Sequence, residues 1–137
     1  MVAGRMAHNV VAIDGALLEV LRARAEASSD QEVCGLLFGC DGRINRAVAA
    51  TNVASDPATM FEIDPAMLIA ALREERAGGP PLIGHYHSHP NGRAEPSDRD
   101  RDAAEPGRMW LILAGRTARL WLATEGGFTE MELVTDR

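Results

Sequence analysis

Three of the chain's four histidines fall within five positions, at His85, His87 and His89. On an extended strand, alternate side chains share a face about 6.5–7 Å apart, so imidazoles two residues apart can converge on one ion. Zinc accepts nitrogen ligands of this kind, and a catalytic zinc site uses three protein ligands and keeps one position open. The third ligand would arrive from another element, and Asp98, Asp100 and Asp102 open the segment that follows. Alternation alone also allows a three-histidine site that includes His85. The same residues have a purely structural reading. A strand histidine can be a hydrogen-bonded core residue, and Ser97 with Asp100 three positions later reads as a helix-capping box. The two readings are compatible, because a capping residue can still present its side chain to a ligand.

The elements that must position these groups follow from pattern. Positions 10–13 are a β-branched opening strand, and Asp14 caps a helix over 15–27 in which Leu17, Leu18, Leu21 and Ala25 recur at helical spacing. Positions 32–40 and 44–53 form a hairpin around Cys40-Asp41-Gly42. After a brief extended piece at 61–63, Asp64-Pro65 starts a second helix to about 77, burying Met67, Leu68, Ala71 and Leu72. Positions 82–89 are the strand that carries the histidines, and Ser97 begins a short helix to about 104. Three strands close the chain at 109–114, 118–123 and 128–134. This order of strands and helices predicts an α/β or α+β sheet flanked by helices.

The 137 residues fit a single domain spanning 1–137, with 46% hydrophobic residues to build its core. The net charge of −6 argues against nucleic acid as a partner. All 14 basic residues are Arg, so lysine-based Schiff-base or P-loop chemistry is excluded. Cys34 and Cys40 lack C-x-x-C spacing and lie too far apart along one strand to bridge, so both read as reduced, buried thiols of a cytoplasmic protein. The first nine residues lack the apolar core of a signal peptide, and no apolar run reaches membrane-spanning length.

The full spacing is His87-Ser88-His89-Pro90, then Ser97, then Asp100. It resembles the JAMM or MPN-plus zinc metalloproteases, whose signature is an upstream Glu followed by H-[ST]-H-P-x6-S-x2-D. Glu32-Val33-Cys34-Gly35-Leu36-Leu37-Phe38-Gly39 is similar to the family's E-x-C-G-L-L-x-G segment, and Phe61-Glu62-Ile63-Asp64-Pro65 to a stretch of its compact prokaryotic members. The resemblance implies the JAB/MPN fold, a mixed β-sheet flanked by helices and cytidine-deaminase-like. It also implies zinc (Zn2+) held by His87, His89 and Asp100, with water as the fourth ligand and its pKa lowered from about 15.7 toward about 7.

On the same resemblance Glu32 is the proton-transferring acid and Ser97 donates to the oxyanion. His85 becomes a packing or supporting residue, Ser88 faces the opposite side of the strand, and Cys34 lies in the core. The implied activity is hydrolysis of a peptide or isopeptide bond. The substrate would be the C-terminal Gly-Gly tail of a ubiquitin-like or sulfur-carrier protein, bound as a strand added to a sheet edge. The alternatives are a zinc amide hydrolase acting on another small peptide, and a non-catalytic MPN scaffold or binding module. A nucleobase deaminase is excluded, since H-x-E and P-C-x-x-C are absent. A homodimer is left open.

Overall fold

The structure is a computed structural model that describes residues 9–136. The leader expectation concerns residues 1–9, of which 1–8 lie outside the described residues. The elements run β1 (Val10–Asp14), α1 (Gly15–Ala27), β2 (Cys34–Cys40), β3 (Arg43–Ala50), α2 (Pro65–Arg76), β4 (Leu82–Ser88), α3 (Asp98–Ala103), β5 (Met109–Ala114), β6 (Thr117–Thr124) and β7 (Gly127–Asp136). Local signals set most of these bounds. Asp14 accepts from Ala16 N, and Asp64 accepts from Ala66 N ahead of Pro65, so both long helices start on an acidic cap. Asp41 and Gly42 both take positive φ, the backbone that a two-residue hairpin between twisted strands requires.

The strands form one mixed sheet in the order β1-β3-β2-β4-β5-β6-β7, and β1 also pairs with β7, so the sheet closes into a barrel. The closure is a parallel pairing between the two ends of the chain, for which the sequence carries no local signal. Strand β4 lies in the interior of this sheet. It pairs antiparallel with β2, placing Cys34 opposite His87, and parallel with β5, placing Ile112 beside His87. Because both its edges are taken, a substrate strand cannot add to β4 itself and would have to pair elsewhere beside the site.

Alternation on β4 sorts its side chains onto two faces. Tyr86 joins Leu18 and Leu21 of α1, Leu37, Leu111, Leu113 and Leu120 in the main core. A smaller cluster of Leu36, Phe38, Ala71 and Leu82 lies under α2. The main core depends on Gly35: a Cβ there would stand 2.3 Å from Tyr86 Cε2, so the ring lies over bare backbone. Of the residues expected to be buried on α2, only Ala71 is fully covered, while Leu68 is 36% exposed and its neighbour Ile69 49%. The helix docks on the sheet by a narrower strip than its apolar spacing suggests. Cys34 is buried but Cys40 is exposed. The register of β2 shifts at Phe38/Gly39 and β4 stops pairing at Phe38, so Cys40 sits past the covered part of its strand.

Candidate metal centre

His87 and His89 stand on and just past the end of β4, where the strand gives way to the Pro90 loop. His89 remains attached to the sheet through its N–H, which donates to Leu113 O at 2.8 Å. The two rings meet: His87 Nε2 lies 3.0 Å from His89 Nε2. Asp100 Oδ2 lies 3.4 Å from the first and 3.1 Å from the second. Ligand atoms of Glu32, His87 and His89 all fall within 4.8 Å of one another. Two imidazoles and two carboxylates thus share one cluster, and all four residues are buried.

His89, Asp100 and Glu32 are each held from behind by hydrogen bonds, whereas His87 Nδ1 is buried without a partner. His89 Nδ1 donates to the Arg93 carbonyl at 2.7 Å, which in the neutral ring leaves Nε2 bare and facing the other groups. Asp100 is fixed by the capping box: Ser97 N donates to Asp100 Oδ2 at 2.9 Å, and Asp100 N donates to Ser97 Oγ at 3.1 Å. Glu32 precedes β2 and is anchored through its backbone. Its N–H donates to Pro57 O at 2.7 Å, and its carbonyl accepts from Asn52 Nδ2 at 2.8 Å. Asn52 also bonds Met60 and Glu62, so one amide ties Glu32 to the 53–62 segment. Phe61 of that segment stacks on His87 at 4.2 Å.

Burial pushes the Glu32 carboxyl up to about 7. Burial also lowers His87. Burial opposes ionisation of Asp100, but hydrogen bonds from His87 and His89 outweigh it and hold the carboxyl well below the usual range. His89 is pushed down by burial, yet its bonds to Asp100 and Arg93 raise it overall. A protonated imidazole is the only positive charge these bonds offer to the pair of acids, and among the described residues no Arg side chain donates to Glu32 or Asp100. Bare imidazole nitrogens, a carboxylate oxygen and the buried, unpartnered Glu32 Oε1 form a donor set that suits a borderline-soft divalent cation. The residues present fit zinc.

The structure therefore brings together Glu32, His87, His89 and Asp100, and it places Ser97 on the same small cleft as Glu32 and His89, a cavity of about 110 Å³. His85 lies beside His87, with ring centroids 5.6 Å apart, but does not join the cluster of ligand atoms. Its ring packs edge-on against Trp110 at 4.3 Å, and burial lowers its pKa to about 3, as expected of a supporting residue. Ser88 faces away and accepts from Val33 N at 2.9 Å. The sequence reading did not identify Asn52, the Arg93 carbonyl or the stacked Phe61 ring as parts of the centre. An amide at a loop start and a main-chain oxygen carry no signature of their own.

Comparison with known proteins agrees with this geometry. A family profile described as prokaryotic homologs of the JAB domain matches residues 15–124. A desampylase of Haloferax volcanii is 35% identical, over 88% of this chain and 89% of the relative. A probable TtuB-protein conjugate cleaving protease of Thermus thermophilus is 33% identical, over 85% and 78%. Among solved structures, a protein from Desulfitobacterium hafniense superimposes with a TM-score of 0.80 at 27% identity, over 93% of each chain. A JAB1/MPN domain protein from Archaeoglobus fulgidus superimposes with a TM-score of 0.59 at 18% identity, over 91% of this chain and 98% of that one, a likeness of fold. With the profile covering every residue of the centre and the curated relatives matching along most of the chain, this protein belongs to the family of prokaryotic homologues of the JAB domain.

Proposed function

We propose that the chain is a zinc-dependent peptidase of the JAMM type that cleaves a peptide or isopeptide bond at the Gly-Gly tail of a ubiquitin-like or sulfur-carrier protein. The observation that carries this reading is the meeting of both imidazole Nε2 atoms on one oxygen of Asp100, with the unpartnered Glu32 carboxyl close by. His87, His89 and Asp100 would hold the metal. Zinc bound there supplies Lewis acidity, which acidifies water and polarises a carbonyl.

The chain's own residues then handle the protons. A carboxyl held near 7 by burial can take a proton from the attacking water at Glu32 and return it to the departing amine. Ser97 Oγ accepts from Asp100 N, which leaves its own hydrogen free to donate to the oxyanion in the cleft that it shares with Glu32. The names of the two relatives, a desampylase and a conjugate-cleaving protease, support the same substrate class. Two free thiols fit a cytoplasmic enzyme, and no described helix is long and apolar enough to cross a membrane. We read residues 1–137 as one catalytic domain.

The test is a conjugate in which a carrier ending in Gly-Gly is joined to a lysine of a target protein. The zinc-loaded chain should release the target by cutting after the second glycine, a chelator should stop it, and added zinc should restore it. Bound zinc with no turnover of any such conjugate would instead support the scaffold reading.

Ser97→Ala separates two duties of one hydroxyl. Loss of the cap should cost about 1 kcal/mol of stability. Loss of the oxyanion donor should lower kcat by about 10²–10³-fold. Ser97→Asn keeps a capping side chain, so it should restore most of the stability but little of the rate. Melting curves and steady-state kinetics on the two variants read these effects separately, and full activity in Ser97→Ala would remove Ser97 from the reaction.

A further inference from the structure

The space between the 58–63 segment and the segment from Ser97 through α3 holds two cavities beside the metal centre. At its near end, Thr59 and Ser97 line the cleft that holds Glu32 and His89. At its far end, Phe61, Asp100 and Ala103 line a cavity of about 390 Å³, within the range of about 300–1,000 Å³ typical of small-ligand sites. Arg99 Nη1 donates to Met60 Sδ at 3.5 Å, a contact from one segment to the other. His85 and Trp110 line the far cavity and also an adjoining hollow of about 140 Å³, whose walls add Leu36, Leu72 and Leu82.

These walls are largely apolar, although Glu62, Arg99 and Asp100 also line the far cavity, and two polar atoms within them lack partners. Trp110 is 3% exposed and its Nε1 makes no hydrogen bond; His85 Nε2 is likewise covered and unbonded. Buried polar atoms are rarely left unpaired, and an indole N–H can only donate. A peptide residue offers what such a cavity lacks, an apolar side chain beside a backbone carbonyl. A purely apolar ligand would leave both nitrogens unpaired.

Spacing identifies the residue. His85 and His87 are two positions apart on one strand, about 6.5–7 Å, the same as two residues of an extended substrate. A chain whose scissile carbonyl lies at the metal centre reaches His85 with the residue two positions before it. Where the last two residues are glycines, that residue carries the first side chain.

We infer that the cavity at His85 and Trp110 is the specificity site for the residue immediately preceding the glycine pair, taking an apolar side chain there while the Trp110 indole donates to the substrate backbone. The inference rests on the peptidase reading above, and its test is built to fail separately from it.

The probes are acetyl-Ala-Ala-Xaa-Gly-Gly-aminomethylcoumarin peptides with Leu, Ala or Asp at Xaa. With the zinc-loaded chain, Leu should exceed Ala in kcat/KM by at least about tenfold and Asp should be poorest. Ala103→Trp, an exposed-helix change that fills the cavity, should bring the Leu:Ala ratio close to one, and so should Leu68→Asp. Binding is read without turnover on the zinc-loaded Glu32→Gln protein, with the Leu peptide as its amide. The chain has two tryptophans, and Trp121 Nε1 is already bonded to the Ala94 carbonyl. The peptide should therefore shift the Trp110 indole N–H resonance, assigned with Trp110→Phe, and leave that of Trp121 in place. Equal cleavage of the Leu and Ala peptides with an unmoved Trp110 resonance would overturn the specificity site and leave the peptidase standing. A moved Trp110 resonance with no cleavage of any peptide or conjugate would keep the site and remove the peptidase. Selectivity found only on the leaving side of the bond would also overturn the inference.

Discussion

Glu32→Gln should keep zinc at one per chain and lower turnover by about 10²–10⁴-fold, the usual worth of a positioned acid or base. Gln has nearly the size and shape of Glu, and the backbone bonds from Glu32 to Pro57 and Asn52 do not involve the side chain. The variant should therefore fold as before and lose only the ability to exchange a proton. Its stability without metal should be equal to or above that of the parent, because Glu32 Oε1 is buried without a partner and burial disfavours its charged form. Metal analysis, thermal melting and a conjugate-cleavage assay on one preparation give all three results. Loss of zinc together with activity would make Glu32 a ligand. Retained turnover would remove it from the reaction.

Asp100→Asn should have the opposite signature, losing the metal first. The carboxylate faces both imidazoles and is itself held by Ser97 N–H. Asn can still offer an oxygen to Ser97 N–H, so the cap should survive, but the negative charge beside the cation is gone. Removing a partner one shell further out typically costs about 10–100-fold in metal affinity, so losing a direct ligand should cost more than about 100-fold. Zinc at a thousand times its Kd stabilises a folded protein by about 4 kcal/mol, which for a domain of this size raises Tm by on the order of 10 °C. At the same zinc concentration that rise should be present in the parent and in Glu32→Gln and cut to about a third or less in Asp100→Asn. The contrast between the two acids matters because both carboxylates lie close to the imidazole pair, and proximity alone does not say which one binds.

Much of this centre is legible in the sequence because its parts are local. Two histidines at i and i+2 lie on one face of any strand, and β4 carries His87 while His89, just past its end, continues the same line. Ser97 and Asp100 form the capping box that their spacing describes, and the box also points Asp100 at the imidazoles. Glu32 was legible only by likeness to a family, since its approach to His89 crosses from β2 to the end of β4. What escaped notice is non-local or lacks side-chain chemistry. The Arg93 carbonyl that sets the His89 tautomer belongs to the main chain, and Asn52 acts through several loop contacts that no periodicity encodes. Closure of the sheet through β1 joins the two ends of the chain. Exposure of Cys40 and Leu68 depends on where β4 and α2 stop covering their neighbours, and alternation or helical spacing cannot report that.

The most direct test of the account is a crystal structure of the zinc-loaded chain with the metal located by its anomalous signal. One zinc should lie within bonding distance of His87 Nε2, His89 Nε2 and an oxygen of Asp100, with the Glu32 carboxyl outside that distance and facing the open position. A metal bound directly by Glu32, or one that leaves Asp100 unbound, would contradict it.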